Sequence, residues 1–469
     1  HPSVLDMTDQ KVYKGVFHKA NYAGIFQFMN SGMQRLGTNA RVSSIEEIAT
    51  VSAIYRPGPL SAGVDKMYVK AKEGIETPEY AHPIIKEVLG KTFGLIVFQE
   101  DIMNLVNVLG DKITMTDANE LRKLLTKKGL SETKMRKKKD LYERFVKGCE
   151  KKGMSFVQAK SLWEKMEYFS GYGFSKNHAI PYSIISYQCA WLQTYYQDQW
   201  VSSFLDHEPE KRKEAAINIV RTFGYEVDSL DINTSNKRWE IIDNKLVPPL
   251  TTIKGLGDAA IDEIMYKRPF LSVEDLLFDK GVIARKVNKK SLDAMCRAGA
   301  MESLMDERFF GSKHFWSAVV VDKPKNKKKL GENIKKYKKE GNFSKGEQIN
   351  HLQALTGIYP INMVVPVKAY DFFESQGIMP LSEYDKELGK GWCIPTEVNL
   401  KKTKTGKPYY QVTVIDSSME TQRINCWGVN PKSDFIYPHR MYVLEWPKYN
   451  ETWGFSTSGG LSRNWKLLG

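Results

Sequence analysis

Two hydrophobic periodicities follow each other along this chain of 469 residues, the first typical of α-helices and the second of β-strands. Residues 46–205 carry apolar side chains at helical spacing, interrupted by glycine and proline. From Trp392 the apolar positions alternate instead, as in PYYQVTVID after the turn sequence KTKTGKP. The sequence therefore predicts an α+β multidomain protein, in which a mainly helical part precedes a small β-barrel unit.

Start and stop signals divide the helical part further. Ser43 or Ser44, followed by two glutamates, caps a helix that ends at RPGPL, where prolines and a glycine stop it. Shorter helices around tight turns follow. A later lysine-rich segment is broken by glycines, so it is either a linker or an exposed helix pair. We predict five regions, namely 1–45, 46–205, 206–305, 306–391 and 392–469.

Positive charge is concentrated in two segments of a chain whose net charge is +14. Residues 121–160 hold 14 basic and 4 acidic residues, and residues 321–345 hold 10 lysines and 3 acidic residues. Concentrated positive charge suits a polyphosphate partner such as nucleic acid or a nucleotide, because neutralised phosphates release their counterions. The alternative is a solvated helix face plus a lysine-rich loop.

Cysteine usage and missing motifs exclude several classes. The five cysteines form no CxxC pair, which indicates a reducing, cytoplasmic compartment without a zinc site or disulfide framework. There is no apolar run of about 18 residues and no leader-like N-terminus. The absence of an initiator methionine leads us to expect a fragment, a processed form or a trimmed chain. We find no DxD, HExxH or GxSxG motif, so we predict no catalytic residue and no metal ligand.

Two motifs place cations at spacings that suit phosphates. If LRKLLTKKG is helical, its cations project along one side of the helix. That arrangement suits a triphosphate, whose oxygens need several cations at once. The alternative is a basic helix face that only contacts solvent. In FSGYGFSKNH, glycines precede a cation and a histidine at a helix start, where backbone amides favour anions. RPGPL adds one arginine on a rigid turn. The candidate nucleotide-binding residues are Arg56, Arg122, Lys123, Lys127, Lys128, Lys176 and His178.

IKGLGDAAIDEI has the pattern of a helix-hairpin-helix motif. Gly255 and Gly257 form the hairpin and Asp258 caps the next helix, so that backbone amides hold one DNA phosphate without reading bases. KVNKKSLDAMCRAGAMESL is a second, degenerate copy. The candidate DNA-binding residues are Lys254, Gly255, Gly257, Lys289 and Lys290.

The C-terminal unit is dense in aromatic residues. Some must form its core, and exposed ones could stack single-stranded bases. Just before it, QGIMPL loosely fits a clamp-binding peptide. The aromatic residues are Tyr409, Tyr410, Trp427, Tyr442, Trp446, Trp453 and Phe455.

Taken in order, these motifs resemble the bacterial DNA polymerase III alpha family, polymerase family C. The matching blocks are GIFQFMNSGM, IYRPGPLSAGVDKMYVKAKEG, TFGLIVFQEDIM, LRKLLTKKG, FSGYGFSKNHAIPYSIISYQCAWL and IKGLGDAAIDEI. The resemblance covers residues 15–305 well and the β-rich end loosely. The family usually has glutamate at Met29, arginine at Lys123 and asparagine at Ser175. Lysine at 123 keeps the charge but loses the bidentate fork.

The resemblance implies a role for each region. Residues 1–45 correspond to a palm edge or connector and 46–205 to the fingers, where the candidate nucleotide-binding residues meet an incoming dNTP. Residues 206–305 correspond to a tandem helix-hairpin-helix region that binds duplex DNA and the sliding clamp, and 392–469 to an OB-fold for the single-stranded template. The implied partners are primer–template DNA, dNTP, the clamp and other replisome subunits.

The resemblance also implies what this chain does not contain. The family's catalytic palm aspartates lie upstream of the GIFQFMNSGM block, as does its N-terminal domain, so the Mg²⁺ ions of a DNA-directed DNA polymerase would be bound mainly by the missing palm. We therefore expect this chain alone to be inactive in primer extension. Two alternatives remain: a palm-less, non-catalytic DNA-binding protein, or one chain of a split polymerase.

Overall fold

The computed structural model describes residues 4–126, 129–171, 173–209, 212–221, 223–418, 421–450 and 454–468. The chain divides into two compact units, His1–Trp200 and Val201–Gly469. No helix within the described ranges is long and apolar enough to cross a bilayer.

The first unit is helical. The sequence sets several helix ends, since the side chain of Ser44 accepts a hydrogen bond from the N–H of Glu47, and Thr114 and Asp117 form a reciprocal capping box. The helices are α1 (Gln10–Val12), α2 (Ser31–Ala40), α3 (Ile45–Ile54), α4 (Pro57–Ser61), α5 (Val64–Lys72), α6 (Pro83–Leu89), α7 (Gln99–Leu109), α8 (Met115–Leu125), α9 (Glu132–Lys151), α10 (Phe156–Ser170), α11 (Lys176–Tyr195) and α12 (Gln197–His207), the last of which crosses into the second unit.

Two apolar cores hold this unit together. One contains Tyr13, Ile54 and Tyr187 and lies where α11 crosses α3. The other contains Leu105 and Phe145 and lies between α7, α8, α9 and α10. The helices that carry the candidate nucleotide-binding residues are therefore supported from both cores.

The second unit begins with short helices and a three-stranded sheet of order β1-β3-β2. Its core runs from Leu230 to Leu355 and includes the fully buried Leu330 of α17, so the lysine-rich segment is a packed helix and not a linker. The elements are α13 (Lys213–Arg221), β1 (Glu226–Val227), β2 (Glu240–Ile242), β3 (Lys245–Val247), α14 (Asp258–Lys267), α15 (Lys289–Arg297), α16 (Ser312–Trp316), α17 (Lys327–Lys336), α18 (Lys345–Thr356), α19 (Ile361–Val364) and α20 (Val367–Ser375).

The C-terminal strands form one curled half-barrel. Its order is β11-β8-β5-β6-β7-β10-β9, with β4 beside β5. The long β5 pairs first with β8 and then with β6, and the register of its pairing with β6 shifts between Pro395 and Glu397, as at a β-bulge. The elements are β4 (Met379–Pro380), β5 (Lys390–Lys402), β6 (Pro408–Ile415), β7 (Gln422–Trp427), β8 (Met441–Glu445), β9 (Lys448–Asn450), β10 (Gly454–Ser458), α21 (Leu461–Asn464) and β11 (Trp465–Leu468).

The predicted fold class is confirmed: a helical N-terminal region and a helix-hairpin-helix region precede a curled β-sheet. The alternation predicted from PYYQVTVID appears in β6, where Tyr410, Val412 and Val414 are buried and the residues between them face outward.

Candidate nucleotide and nucleic-acid sites

A short parallel bridge between Phe98 and Phe174 joins the start of α7 to the segment before α11. Gln99 extends this junction. Its backbone N–H donates to the carbonyl oxygen of Phe174 (3.0 Å), and its side-chain Nε2 donates to that of Gly173 (2.9 Å). The FSGYGFSKNH loop is therefore fixed against α7 by hydrogen bonds from a residue far away in the sequence.

Arg122 of α8 reaches the same junction. Its Nη1 donates to Gln99 Oε1, and its Nε and Nη2 donate to Asn119 Oδ1 at 3.2 and 3.1 Å. These bonds hold the half-buried guanidinium in one orientation. The Arg122 side chain therefore loses less conformational entropy when an anion binds.

Two other predicted residues contact the ring of Phe174. The Arg56 guanidinium lies 3.7 Å from the centre of the Phe174 ring, within range of a cation–π contact. The exposed ring of His178 lies 5.3 Å from Phe174 and 4.1 Å from Tyr182. The structure thus brings Arg56, Arg122 and His178 together around one loop.

The start of α11 differs from the expectation. The sequence predicts free amides that favour a phosphate there, but the Glu100 carboxylate already accepts from the N–H of Lys176 (2.8 Å) and the hydroxyl of Ser175 (3.0 Å). A carboxylate satisfies the same orphan amides that a phosphate would use. The half-buried Lys176 keeps its ammonium 5.6 Å from the Phe98 ring, so its side chain remains the candidate contact.

Sequence reasoning missed Gln99, Glu100 and Asn119. The signal was present for the first two, because the polar triplet QED directly follows the apolar run of TFGLIVFQEDIM. By itself that triplet indicates only a helix start. Its third member, Asp101, is buried and accepts from the N–H groups of Val97 and Phe98, and burial raises the pKa of this carboxyl.

The rest of the first basic segment is largely paired. Lys123 is exposed, and Lys127 and Lys128 lie outside the described residues. The Lys151 ammonium holds the pKa of Asp111 below its usual range. Much of the charge concentrated in 121–160 is therefore neutralised within the fold. The ion pairs are Lys137–Glu120, Lys138–Glu167, Lys139–Glu143, Arg144–Asp117, Arg144–Asp140, Lys147–Asp111, Lys151–Asp111 and Lys160–Glu164.

The hairpin before α14 needs glycine at one position only. Gly255 has φ +95°, and a Cβ there would lie 3.3 Å from Lys290 Cε. Gly257 has ordinary extended backbone and open space around it. Gly257, and not Asp258 as expected, is the N-cap of α14, and no side chain caps this helix start. Gly255 and Gly257, like Lys254, are exposed.

The second copy of the motif differs from the first. Asn288 caps α15 by accepting from the N–H groups of Lys290 (2.9 Å) and Ser291 (3.1 Å), so those amides are already bonded. Lys290 lies beside Gly255, whereas Lys289 Nζ donates to the carbonyl oxygen of Val321 (3.0 Å). Only one of the two predicted lysines thus stands next to the hairpin.

The aromatic residues of the half-barrel divide between its two faces. Tyr410, Tyr442 and Phe455 are buried in its core. Tyr409 and Trp427 are register partners whose rings stack on the outer face, with centres 4.4 Å apart. Trp446 is also exposed, and Trp453 lies outside the described residues.

Lys401 stands opposite Tyr409 on the neighbouring strand β5. Its ammonium donates to Gln411 Oε1 at 2.7 Å. The outer face of β5, β6 and β7 therefore combines a cation, amides and a stacked aromatic pair.

The QGIMPL segment is part of the fold. Ile378 and Leu381 are buried, and Met379–Pro380 pairs with β5 as strand β4. Of the glutamine, methionine and leucine of the peptide pattern, Leu381 is therefore buried in the core, whereas Met379 is half-buried and Gln376 is exposed.

Within the part of the chain that the structure describes, no three His, Cys, Asp or Glu side chains are grouped to hold a metal ion. The carboxylates nearest the Phe98–Phe174 junction, Glu100 and Asp101, are both bonded to backbone N–H groups. They do not form a ligand set for Mg²⁺, which prefers several free oxygen ligands.

Two family models match the chain. Residues 1–153 match the bacterial DNA polymerase III alpha subunit finger domain, and residues 224–309 match a helix-hairpin-helix motif. The second match includes both hairpin copies.

Curated relatives agree with these matches. DNA polymerase III subunit alpha of Borreliella burgdorferi is 34% identical over 320 residues, which are 66% of this chain and 27% of that protein. The subunit of Helicobacter pylori is 33% identical over 314 residues (64% and 25%). That of Aquifex aeolicus is 32% identical over 312 residues (65% and 26%). The chain thus spans about a quarter of the length of the curated relatives it matches.

Proposed function

We propose that this chain, which carries the finger domain and the helix-hairpin-helix region of the bacterial DNA polymerase III alpha family, positions an incoming dNTP and primer–template DNA for template-directed nucleotidyl transfer. The observation that carries the proposal is the placement of Arg122, Arg56 and His178 around the Phe98–Phe174 junction, where Arg56 and His178 contact Phe174 and Arg122 is oriented by Gln99 and Asn119.

In the proposed reaction, the primer 3′-hydroxyl attacks the α-phosphate of the dNTP and pyrophosphate leaves. Preorganised cations lower the barrier by neutralising charge that develops on the phosphates. We assign this role to Arg122, with Arg56, Lys123, Lys176 and His178 as further phosphate contacts. Lys127 and Lys128 complete the set by resemblance. Mg²⁺, bound mainly by palm residues outside this chain, would activate the attacking hydroxyl.

The region boundaries are proposals as well. We assign 1–45 to the palm edge, 46–205 to the fingers, 206–305 to binding of duplex DNA and the sliding clamp, 306–391 to a connector and 392–469 to single-stranded template. Other replisome subunits are further partners of the proposed assembly.

The affinity for duplex DNA is expected to depend on Gly255 in the hairpin. Gly255→Val forces a branched side chain into backbone at φ +95° and against Lys290, so it should remove the close approach of phosphate to the amides. Gly224→Val is the matched control, because Gly224 has a similar positive φ (+93°), lies outside the hairpin, and its Cβ would meet no neighbour. Anisotropy titrations with labelled duplex should show about a tenfold loss for Gly255→Val, in the range of one charged hydrogen bond, and little change for Gly224→Val. Equal loss in both variants would contradict the hairpin assignment.

The affinity for single-stranded DNA is expected to depend on the stacked aromatic pair of the half-barrel. Trp427→Ala removes one ring of the Tyr409–Trp427 platform, and stacking of one base is worth about 1–3 kcal/mol, or about 5- to 150-fold in affinity. Trp446→Ala removes an exposed tryptophan outside this pair. The measurement is anisotropy with single-stranded and duplex DNA. A loss of duplex affinity as large as that of single-strand affinity would argue against the platform.

A further inference from the structure

Three lysines that the proposed function leaves unused lie in the lysine-rich segment next to the hairpin. We propose that Lys323, Lys325 and Lys328, the lysine strip, extend the hairpin surface by contacting further phosphates of the same DNA duplex. This inference rests on the proposed function only in taking duplex DNA as the partner.

The strip adjoins the hairpin through neighbouring residues of α15. Lys290 stands beside Gly255, and the preceding residue, Lys289, donates to the carbonyl oxygen of Val321, two residues before the strip begins. Lys323 and Lys325 line a cavity of about 420 Å³, whose lining also includes Val287 and Leu292, on either side of the α15 N-terminus. The hairpin and the first two lysines of the strip therefore both lie near the N-terminus of α15.

The strip differs from its neighbours in being unpaired. Among the described residues, none of its three ammonium groups has an acidic partner within ion-pair distance. The adjacent lysines do: Lys327 pairs with Asp279 (2.8 Å), and Lys329 pairs with Asp322 (3.6 Å). Unpaired neighbouring cations repel one another, and an external anion relieves that repulsion.

The backbone that carries the strip is held in place. Leu330 of α17 is fully buried in the core, and the buried Asn333 donates from Nδ2 to the carbonyl oxygen of Ala318 (3.0 Å). Asn326 caps α17 by accepting from the N–H of Lys329 (2.8 Å). Only the lysine side chains have to be ordered when a phosphate binds, which lowers the entropic cost compared with a disordered basic tail.

The chemistry of the strip favours a nucleic-acid backbone over an acidic protein. Lysine ammonium groups act as point charges without a directional fork, which suits phosphates that change orientation along a duplex. The neighbouring hairpin offers backbone amides to the same kind of ligand. The partner is therefore the duplex itself, bound without reading its sequence.

The test compares two charge-matched triple variants of the full chain. Lys323→Gln, Lys325→Gln and Lys328→Gln remove the strip. Lys338→Gln, Lys339→Gln and Lys345→Gln remove the same charge from exposed lysines further along the chain. The slope of log affinity against log salt decreases by about 0.9 for each phosphate that the protein no longer neutralises, so the slope should decrease by up to about 2.7 in the strip variant and little in its control.

A charge-retaining variant and a shorter duplex provide two further comparisons. Lys→Arg at the three strip positions should keep the wild-type slope, because the charge is retained. On a duplex of about 8 base pairs, at about 3.4 Å of axis per pair, the strip variant should lose less affinity than on one of about 20, since the short duplex can occupy the hairpin alone.

The outcomes separate this inference from the proposed function. If Gly255→Val weakens duplex binding but the strip variant behaves like its control, the strip does not contact DNA and this inference is wrong. If neither variant changes duplex affinity, the hairpin assignment fails as well. An acidic protein as the true partner would give the first of these results.

Discussion

Replacing Arg122 with alanine is expected to weaken binding of a deoxynucleoside triphosphate by about 10- to 100-fold, while nucleoside binding changes little. A charge-assisted hydrogen bond contributes about 1.5–3 kcal/mol, and only the triphosphate offers the anionic acceptor. The guanidinium is already oriented by Gln99 and Asn119, so its loss removes a preorganised contact. Calorimetric titration of the full chain with dNTP and with nucleoside measures the difference.

A second arginine provides the control. Arg136 of α9 is exposed, so Arg136→Ala removes the same charge away from the Phe98–Phe174 junction. Arg122→Lys keeps the charge but loses the fork, and we expect an affinity between those of the wild type and Arg122→Ala. If Arg122→Ala and Arg136→Ala bind dNTP equally well, Arg122 does not contact the triphosphate. Binding of DNA but not of dNTP by the wild type would favour a palm-less DNA-binding protein.

Gly148→Ala is expected to destabilise the first unit by about 3 kcal/mol, at the upper end of the usual cost of overpacking. Gly148 lies inside α9, and a Cβ there would stand less than 3.0 Å from both Asp111 N and Leu109 O. These are backbone atoms that cannot move aside, because Asp111 N–H donates to the Arg144 carbonyl oxygen of the same helix (2.9 Å). Relief would require α9 to separate from the end of α7.

Urea unfolding followed by circular dichroism gives the comparison. Gly90→Ala is the matched control, since its Cβ would meet no atom within 4 Å and its φ of −60° suits alanine. We expect a change within about 0.5 kcal/mol there, because the added methyl group meets no neighbour. An unchanged midpoint for Gly148→Ala would mean that α9 does not lie against the 109–111 backbone as described.

The amino-acid sequence determined those features that depend on near neighbours. The capping serine before α3 and the alternation in β6 follow from side chains within a few residues of the element they control. The end of α3 before RPGPL is also a local effect, but these residues begin the short helix α4, with Pro57 in its first turn, and do not form the predicted rigid turn. The order of the motif blocks likewise indicated the family before the fold was known. Such signals are local, so they can be interpreted without the tertiary structure.

Tertiary structure decided which of the predicted cations and aromatic residues are available. Glu100, about 75 residues earlier in the chain, caps the helix start that the sequence predicts to bind phosphate. Acidic residues of α8 and α10 pair with lysines of α9, and the two faces of the half-barrel separate Tyr409 from Tyr410. In each case the partner comes from another element, and its position depends on how the cores pack. Charge and residue type are written in the sequence, but whether a side chain is free to bind depends on neighbours that only the folded chain brings to it.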